Sequence, residues 1–368
     1  MKILYAIQGT GNGHISRARD IIPLLQKKGE LDVLVSGTEA DVNLDFPVKY
    51  KLKGMSFVFG KHGGIDLVST YKKAKLKRFY NEVKELPVEN YDLVINDFEP
   101  VSAWACRLRH KACVGLSHQV AVLNKKSPRP VEIDMIGKSI LKNYAPVTDK
   151  FGFHFKAYSK KIFTPVIREE IRNAIIQKLP HYAVYLPAYE DSRIIKVLQE
   201  IKDVEWQVFS KHTKKIYREK NISICPINND SFIKSLVTCT GVLCGAGFET
   251  PAEALFLQKK LMVIPMKGQY EQQCNAAALK EMGVLVLKKL KVSRVEKIMN
   301  WAKEDNIVPV DYPNITRKVI DEIFNKYSAI AQNKTSLSDM PAFSTNDSYP
   351  GRKMRKIRLG NILHQITG

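Results

Sequence analysis

The first 36 residues alternate between short apolar runs and one longer amphipathic stretch, and this alternation constrains the fold more than any other feature of the sequence. Residues 3–7 and 32–35 are rich in Val, Ile and Leu, whereas residues 16–28 have the spacing of an amphipathic helix. Two strands joined by a helix predict a βαβ unit with parallel strands and a right-handed crossover.

The same alternation continues through the first half of the chain. Further strands are predicted at 48–52, 92–96 and 112–116, with a basic helix at 71–86. Repeated right-handed crossovers predict a doubly wound parallel sheet with strand order 3-2-1-4-5. The carboxyl ends of strands 1 and 4 then flank the crevice in which open α/β sheets bind their ligands.

A second alternation follows a charged connector, which is predicted to be helical over 168–178. Its elements are candidate strands at 182–186, 205–209, 223–227, 242–243 and 261–264 and candidate helices at 192–201, 232–236, 250–257 and 273–281. The sequence therefore predicts two Rossmann-like domains, 1–165 and 181–330, joined by a connector at 166–180 and followed by a basic, flexible tail at 331–368.

The chain is strongly basic, with 58 Lys and Arg against 37 Asp and Glu and a formal net charge of +21. Residues 49–84 alone hold ten basic residues against two acidic ones. This excess favours an anionic partner, for which nucleic acid, acidic lipid and a phosphorylated substrate are candidates. Scattered lysines that serve only solubility are the alternative explanation.

The cysteines and the amino terminus indicate a cytoplasmic protein. Six cysteines show neither a CxxC pair nor a zinc-finger spacing, which favours reduced thiols. The chain starts with a strand that leads directly into a glycine loop, so we expect no secretion signal. The most apolar window, 235–257, contains glycines, a proline and acidic residues that a membrane-spanning helix would hardly tolerate.

The glycine loop after strand 1, residues 9–14, ends in His14. His14 stands where a dinucleotide-binding fingerprint needs glycine, and no Gly-Lys-Ser/Thr follows to form a Walker loop. What remains is a tight turn with a histidine at the mouth of a helix, directed into the crevice. Gly11 and Gly13 of this loop are candidate acceptor contacts, and a simple helix cap is the alternative role for His14.

A carboxylate is predicted next to that histidine. Asp97 ends strand 4, and it could hold one nitrogen of His14 while the other nitrogen takes a proton, as in a general base. A helix N-cap is the alternative role for Asp97. Glu99 could replace Asp97, and both Glu99 and His118, which follows strand 5, are candidate acceptor contacts.

The second half contains the most specific motif. Gly245 and Gly247 would let backbone N–H groups approach a phosphate at a helix N-terminus, and Pro251 agrees with a helix start there. Thr250 and Glu253 share a helix face, so a hydroxyl can meet phosphate while the carboxylate accepts bonds from ribose hydroxyls.

A second polar group precedes the next predicted helix. The pair Glu271 and Gln272 is suited to hydrogen-bonding sugar hydroxyls. Each residue of the glycine motif and of this pair could by itself be a helix cap or part of a solvated helix face. Their occurrence together in this order favours a binding site over those roles.

The arrangement of these residues resembles that of nucleotide-sugar glycosyltransferases of the GT-B fold, in which two Rossmann-like domains face each other across a cleft. The similarity is greatest to the group that contains the peptidoglycan lipid I N-acetylglucosaminyltransferase, the macrolide transferases and the glucuronosyltransferase-like enzymes, and it covers roughly residues 1–325. By this resemblance the donor-binding residues are Gly247, Thr250, Glu253, Glu271, Gln272 and Asn275, and the catalytic residues are His14 and Asp97.

Two positions depart from the family pattern. Gly245 stands where many members have a His or Arg that touches phosphate, and Glu249 stands where some have Asn. A carboxylate beside a diphosphate is unfavourable unless it turns away.

The resemblance implies an inverting, metal-independent hexosyltransferase that needs no cofactor. It would move a sugar from a nucleoside diphosphate sugar, with a UDP-sugar favoured, to the hydroxyl of a lipid-linked or anionic glycan acceptor. Such an enzyme would be cytoplasmic and could lie on the inner face of the membrane. A sugar-nucleotide epimerase of the same fold is the alternative, and nucleic-acid binding is disfavoured because no recognition module is visible.

Overall fold

The structure is a computed structural model that describes residues 1–37, 44–55 and 76–332, the last four of these without their side chains. Within these ranges the chain forms two seven-stranded sheets flanked by helices, which is an α/β architecture with two Rossmann-like halves. The predicted fold class is therefore confirmed.

The first sheet contains only parallel pairs, in the order β3-β2-β1-β4-β5-β6-β7. The elements of this half are β1 Lys2–Gln8, α1 Asn12–Gln26, β2 Glu30–Ser36, β3 Tyr50–Leu52, α2 Leu76–Glu85, β4 Leu93–Asp97, α3 Pro100–Leu108, β5 Val114–Ser117, α4 His118–Val122, α5 Met135–Tyr144, β6 Asp149–Phe153 and β7 Ile162–Phe163. The order of the first five strands is as predicted. β6 and β7 were not predicted, although Phe151, Phe153 and Phe155 alternate and are all buried, which is the period of a strand.

The second sheet has the order β10-β11-β9-β8-β12-β13-β14. Its half comprises α6 Glu169–Arg172, β8 His181–Tyr185, α7 Asp191–Leu198, β9 Glu205–Ser210, β10 Tyr217–Glu219, β11 Ile222–Pro226, α8 Asn229–Thr238, β12 Gly241–Gly245, α9 Glu249–Phe256, β13 Lys260–Ile264, α10 Tyr270–Glu281, β14 Leu285–Val286, α11 Val295–Lys303 and α12 Thr316–Gln332. The five predicted strands are present. β10, which pairs antiparallel with β11, and the short edge strand β14 were not predicted.

The connector is less helical than predicted. Only the four residues of α6 are helical within the predicted range 168–178. Beyond it the backbone pairs outside a helix, because the N–H of Leu179 donates to the carbonyl of Thr238 and the N–H of Thr240 donates to the carbonyl of His181. The end of the connector is thereby aligned with β8 and β12 rather than continuing α6.

The last helix returns to the first half of the molecule. Lys28, just after α1, pairs with Asp321 of α12 at 2.6 Å, and Lys326 pairs with Asp149 of β6, also at 2.6 Å. Tyr312, which precedes α12, donates from its hydroxyl to the carbonyl of Phe155 at 3.0 Å. The largest apolar core cluster accordingly includes residues of both halves.

Two predictions fall partly outside the described residues. They are the basic helix at 71–86, which is described only from residue 76, and the tail at 331–368, which is described only to residue 332. Among the helices that are described, none combines the length and the apolar character needed to cross a membrane.

Candidate active site

His14 and Asp97 meet at the carboxyl ends of adjacent strands. β1 and β4 are parallel neighbours with Ile7 opposite Asp97, and the loop after β1 brings His14 into the first turn of α1. His14 Nδ1 lies 2.9 Å from Asp97 Oδ1. Asp97 is completely buried, whereas the His14 side chain is 12% exposed. A buried carboxylate therefore contacts one ring nitrogen of a histidine that borders the cleft.

The glycines of this loop are required by its geometry. Gly11 has a φ of 93°, in the left-handed region that favours glycine, and it precedes the first residue of α1. A β-carbon at Gly13 would collide with the carboxylate of Glu249 from the other half of the molecule. The loop thus turns sharply and lets the second half approach closely.

Arg17 joins the two halves of the molecule at this point. One helical turn after His14, its Nη2 donates to both carboxylate oxygens of Asp97, at 2.7 and 2.9 Å, and its Nη1 donates to Glu249. The guanidinium is 2% exposed. Burial opposes ionisation of Asp97, but the charges of Arg17 and His14 outweigh it and hold the pKa of that carboxyl below its usual value. Asp97 is therefore an anion that both Arg17 and His14 contact.

Contacts with Asp97 and Gln119 favour one tautomer of His14, whereas Arg17 Nη2, a donor 3.1 Å from Nδ1, favours the other. The Nε2 amide of Gln119 lies 3.0 Å from Glu271 Oε2 and 3.3 Å from His14 Nε2. A carboxylate only accepts, so the amide of Gln119 is the donor and His14 Nε2 the acceptor. In the tautomer that Asp97 and Gln119 favour, the proton of a neutral ring is on Nδ1, where it can bond to Asp97. This leaves Nε2 as the basic atom on the cleft side.

A cavity of about 140 Å³ adjoins this nitrogen between the two halves. It is lined by Gln8, Thr10, His14, Phe98, Gln119, Gly137, Ile140, Leu141, Tyr144, Gln269, Tyr270 and Glu271. Phe98 has a φ of 58°, an uncommon conformation for an aromatic residue, and its ring is nearly parallel to that of His14 at 6.4 Å. The cavity is mixed in character, with apolar residues of α5 on one wall and polar groups around His14.

The structure does not bring Glu99 into this cavity. Its carboxylate is fully buried and accepts from the N–H groups of Val101 and Ser102, at 2.7 and 2.6 Å, and from the hydroxyl of Ser36 at 2.6 Å. Glu99 therefore caps α3, the alternative role considered for Asp97. A group so enclosed is not exposed to an acceptor.

His118 is likewise buried away from the cavity, at 1% exposure. Its ring stacks on Phe248 with centroids 3.9 Å apart, and its Nε2 lies 2.8 Å from Asn275 Oδ1. Asn275 in turn donates to the carbonyl of Ala246 at 3.1 Å. His118 and Asn275 thus form a contact between the halves beside the glycine motif of the second half.

That motif precedes α9. An added β-carbon at Gly247 would meet no atom within 4 Å, whereas one at Gly245 would lie 3.7 Å from Gln272 Oε1. The backbone at Gly247 therefore borders open space near a helix N-terminus, where the partial positive charge favours an anion. The carboxylate of Glu249 is turned across the cleft to Arg17.

Glu253 is paired with a residue of the connector. Arg168 donates to both of its carboxylate oxygens, at 2.5 and 2.8 Å, and Glu253 is 2% exposed. Burial raises the pKa of Glu253, although Arg168 opposes that shift. Arg168 also donates to Asn229 at 3.0 Å. The carboxylate is thereby held by Arg168, whose own side chain lines a second cavity.

This second cavity measures about 90 Å³ and lies where β8, β9 and β11 end. It is lined by Asn12, Gly13, Ser16, Arg168, Tyr185, Phe209, Ile227, Asn228, Asn229, Phe232 and Thr250. Thr250 of α9 is thus on its wall, as are glycine-loop residues of the first half. Both halves enclose it.

Glu271 and Gln272 both lie in the first turn of α10 but contact different partners. Glu271 reaches Gln119 across the cleft, and Gln272 Oε1 accepts from the N–H of Met266 at 3.0 Å. Within the described residues, no group of three or more His, Cys, Asp or Glu side chains could hold a metal ion.

Three residues of the site were not predicted. Arg17 is three positions after His14, the spacing at which side chains share a helix face, and this signal could have identified it. Gln119 follows His118 directly after β5, so the sequence also predicts its position at the carboxyl edge of the sheet. Arg168 carries no local signal, because its partner lies 85 residues away.

Several solved structures share this architecture at low sequence identity. MurG of Acinetobacter baumannii is 15% identical with a TM-score of 0.53, over 88% of this chain and 99% of that one. UGT89C1 of Arabidopsis thaliana, complexed with UDP, is 12% identical with a TM-score of 0.53, over 89% and 94%. The glycotransferase of kitacinnamycin is 11% identical with a TM-score of 0.53, over 89% and 95%. The fold is therefore GT-B, as predicted.

Sequence comparison identifies the family. No curated protein sequence matches significantly. The family model described as glycosyl transferase family 1 matches residues 1–301, which is most of the chain. The chain belongs to glycosyl transferase family 1 and is a glycosyltransferase.

Proposed function

We propose that this glycosyltransferase inverts the anomeric centre of a nucleoside diphosphate sugar and transfers the sugar to an acceptor hydroxyl, with His14 as the general base. One observation carries the proposal: Asp97 contacts Nδ1 of His14, and Nε2 accepts from the Gln119 amide beside the 140 Å³ cavity. An acceptor hydroxyl that replaces the Gln119 amide at Nε2 would lose its proton there as its oxygen attacks the anomeric carbon.

Asp97 and Arg17 support this step differently. Asp97 holds the ring and stabilises the imidazolium that forms, as a buried carboxylate does beside a catalytic histidine. Arg17 keeps Asp97 ionised and competes with His14 for its oxygens. We therefore assign Arg17 as a positioning residue.

The donor is proposed to lie between the motif of α9 and the second cavity. Backbone N–H groups at Gly247 and the hydroxyl of Thr250 would meet the diphosphate, and Glu253, oriented by Arg168, would accept from ribose hydroxyls. Glu271, with Gln272 and Asn275, would face the sugar. UDP is the favoured nucleotide, supported by the UGT89C1 structure of the same fold, which holds UDP.

The two halves must separate for donor entry. The second cavity, at about 90 Å³, is well below the roughly 300–1,000 Å³ typical of ligand pockets. The contact of Arg17 with Glu249 crosses this closure, so opening breaks it. Donor entry is thereby coupled to Arg17, which contacts both Glu249 and Asp97.

Catalysis is proposed to need no metal. The developing charge on the leaving diphosphate would be met by the N-terminus of α9, and the described residues near it form no cluster of metal ligands. Transfer should accordingly persist in a chelator, and its loss there would contradict this part of the proposal.

The acceptor is proposed to be lipid-linked or an anionic glycan, used at the cytoplasmic face of a membrane. The segment 131–136, which leads into α5 and includes its first two residues, exposes four large apolar side chains: Val131, Ile133, Met135 and Ile136. Further along α5, Ile140 and Leu141 line the cavity beside His14. Exposed apolar groups on a basic protein favour adsorption to an anionic membrane surface.

The function is tested first with nucleotides and then with transfer. UDP, GDP, ADP and TDP are compared for thermal stabilisation, where a ligand at one hundred times its Kd contributes about 2.7 kcal/mol. We expect UDP to give the largest shift and Glu253→Ala to reduce it. The matching UDP-sugars are then incubated with membrane and glycan extracts, and products are identified by mass spectrometry.

The decisive variant is His14→Ala. It should lower transfer by about 10²–10⁴-fold, the usual contribution of a general base, and leave the UDP shift unchanged. Full transfer by His14→Ala would refute the assignment. An isomerised UDP-sugar formed without any acceptor would instead identify an epimerase.

The membrane proposal has its own test. Co-sedimentation with phosphatidylglycerol vesicles should exceed that with phosphatidylcholine, and Val131→Ser with Ile136→Ser should reduce it. The matched control is Ile175→Ser with Ile176→Ser, a pair in the connector that is 83% and 54% exposed. Equal loss of binding in both double variants would contradict a specific role for the segment 131–136.

A further inference from the structure

A third cavity lies outside the candidate active site and is larger than either cavity there. It measures about 570 Å³ and is formed by the loops that follow β8, β13 and β14 at the carboxyl edge of the second sheet. Five basic side chains line it, together with a single acidic one: Arg193, Lys267, Lys288, Lys289 and Lys291, with Glu190. We call it the basic pocket.

The cations of the basic pocket have no acidic partner. No ion pair within the described ranges includes any of the five, and all five are exposed. Asp191, the acidic residue next in sequence to Glu190, is engaged elsewhere, since it accepts from Ser210 at 2.5 Å. Like charges are therefore gathered in one concavity with only Glu190 opposing them.

The wall that carries the lysines is fixed to its neighbour. Arg193 donates from Nε and Nη2 to the carbonyl of Leu290, at 3.2 and 3.0 Å, and its guanidinium lies over the ring of Tyr189. The N–H of Leu290 donates to the hydroxyl of Tyr189 at 3.2 Å. The loop bearing Lys288, Lys289 and Lys291 is thus attached to the β8–α7 loop. The five basic side chains therefore extend from two segments that are hydrogen-bonded to each other and from the loop after β13.

We propose that the basic pocket is a second ligand site, which binds a chain of phosphate groups. Lysine ammonium groups bind phosphate as point charges, and an excess of about four positive charges matches a ligand with several phosphates rather than one carboxylate. The volume is that of a small-molecule site. The ligand is either a free polyphosphate or a segment of a phosphodiester polymer.

The position of the basic pocket relates it to the proposed active site. The segment 265–271, which comprises the loop after β13 and the start of α10, contributes Pro265, Met266 and Lys267 to the basic pocket and Gln269 and Glu271 to the cavity beside His14. A phosphate chain bound in the basic pocket would therefore lie on the other side of one loop from the reacting groups. Its binding requires no nucleotide.

The experiment measures binding without sugar transfer. Inorganic tripolyphosphate and a glycerol phosphate oligomer are titrated calorimetrically into the full chain at constant ionic strength. Lys288→Gln with Lys291→Gln should weaken binding by about tenfold or more, because charge-assisted contacts are lost. The matched control is Lys297→Gln with Lys303→Gln on α11, two exposed lysines outside the basic pocket with the same change of net charge.

Each result has a defined meaning. Binding of tripolyphosphate alone assigns a free polyphosphate, and binding of the oligomer assigns a phosphodiester polymer. Equal weakening by both double variants, no binding of either probe, or displacement of the probe by UDP would overturn the proposal. Unchanged melting temperatures of the variants show that folding is intact, and the outcome does not depend on His14.

Discussion

Replacing Arg17 by Met tests the central ion-pair network of the molecule. Arg17 is 2% exposed and Asp97 is completely buried, so the substitution leaves a buried carboxylate without its guanidinium partner. Breaking a buried ion pair by removing one partner costs about 3–5 kcal/mol. For a domain of about 150–250 residues, each kcal/mol lowers the melting temperature by about 2–4 °C, so we expect a loss of about 6–20 °C.

The matched control is Arg218→Met. Arg218 also contacts both oxygens of a carboxylate, that of Glu205 at 3.0 and 2.8 Å, but the two side chains are 55% and 49% exposed. An exposed pair contributes at most about 1 kcal/mol, so the control should lose less than about 4 °C. Calorimetric melting of both variants at neutral pH provides the comparison.

A double variant gives the test that can refute this reasoning. If Arg17 stabilises the fold by neutralising Asp97, adding Arg17→Met to Asp97→Asn should cost much less than Arg17→Met does alone. Losses that add within about 0.5 kcal/mol would show that the two residues act independently. Equal losses in Arg17→Met and Arg218→Met would show that burial of the pair is irrelevant.

The remaining predictions concern groups around the same cleft. Burial holds the pKa of His154 well below its usual value, so the unfolded chain binds a proton more readily than the folded chain. The free energy of unfolding should therefore decrease as the pH falls below about 6.5, by about 1.4 kcal/mol per pH unit. His154→Phe should flatten this dependence in melts at pH 7.5 and 5.5, and an unchanged slope would contradict it. Asp97→Asn should abolish transfer, whereas Glu99→Gln, a change at an equally buried carboxylate that caps α3, should cost about 0.5–2 kcal/mol of stability and leave transfer intact. Nitrogen-15 spectra of His14 should show protonated Nδ1 in the wild-type chain, and protonated Nε2 would contradict the tautomer assigned here.

The pairing of His14 with Asp97 was predictable because it follows from chain topology. The right-handed crossover rule makes the strands that precede these residues neighbours, and their carboxyl ends share an edge. Nothing beyond the order of the strands was needed. The start of α9 near the glycines of the second half followed equally from local chemistry, in particular from Pro251 in its first turn.

The contacts between the halves were not predictable from local patterns. Arg17 with Glu249, Gln119 with Glu271, and His118 with Asn275 each join residues more than 150 positions apart. Their pairing depends on the relative orientation of two separately wound sheets, which hydrophobic periodicity does not encode. The prediction for Glu99 fails for a different reason, because its position after β4 suits either a cleft residue or a helix cap, and the cap of α3 with the bond from Ser36 holds it inside one half.

The return of α12 to the first half has a consequence for synthesis on the ribosome. Asp149 of β6 and Lys28 find their partners Lys326 and Asp321 only after almost the whole chain has emerged. At about 5–20 residues per second, the first half waits on the order of ten seconds for the helix that covers it. During that interval a nascent chain exposes apolar surface of the first half, and a chain that ends before α12 would keep that surface exposed permanently.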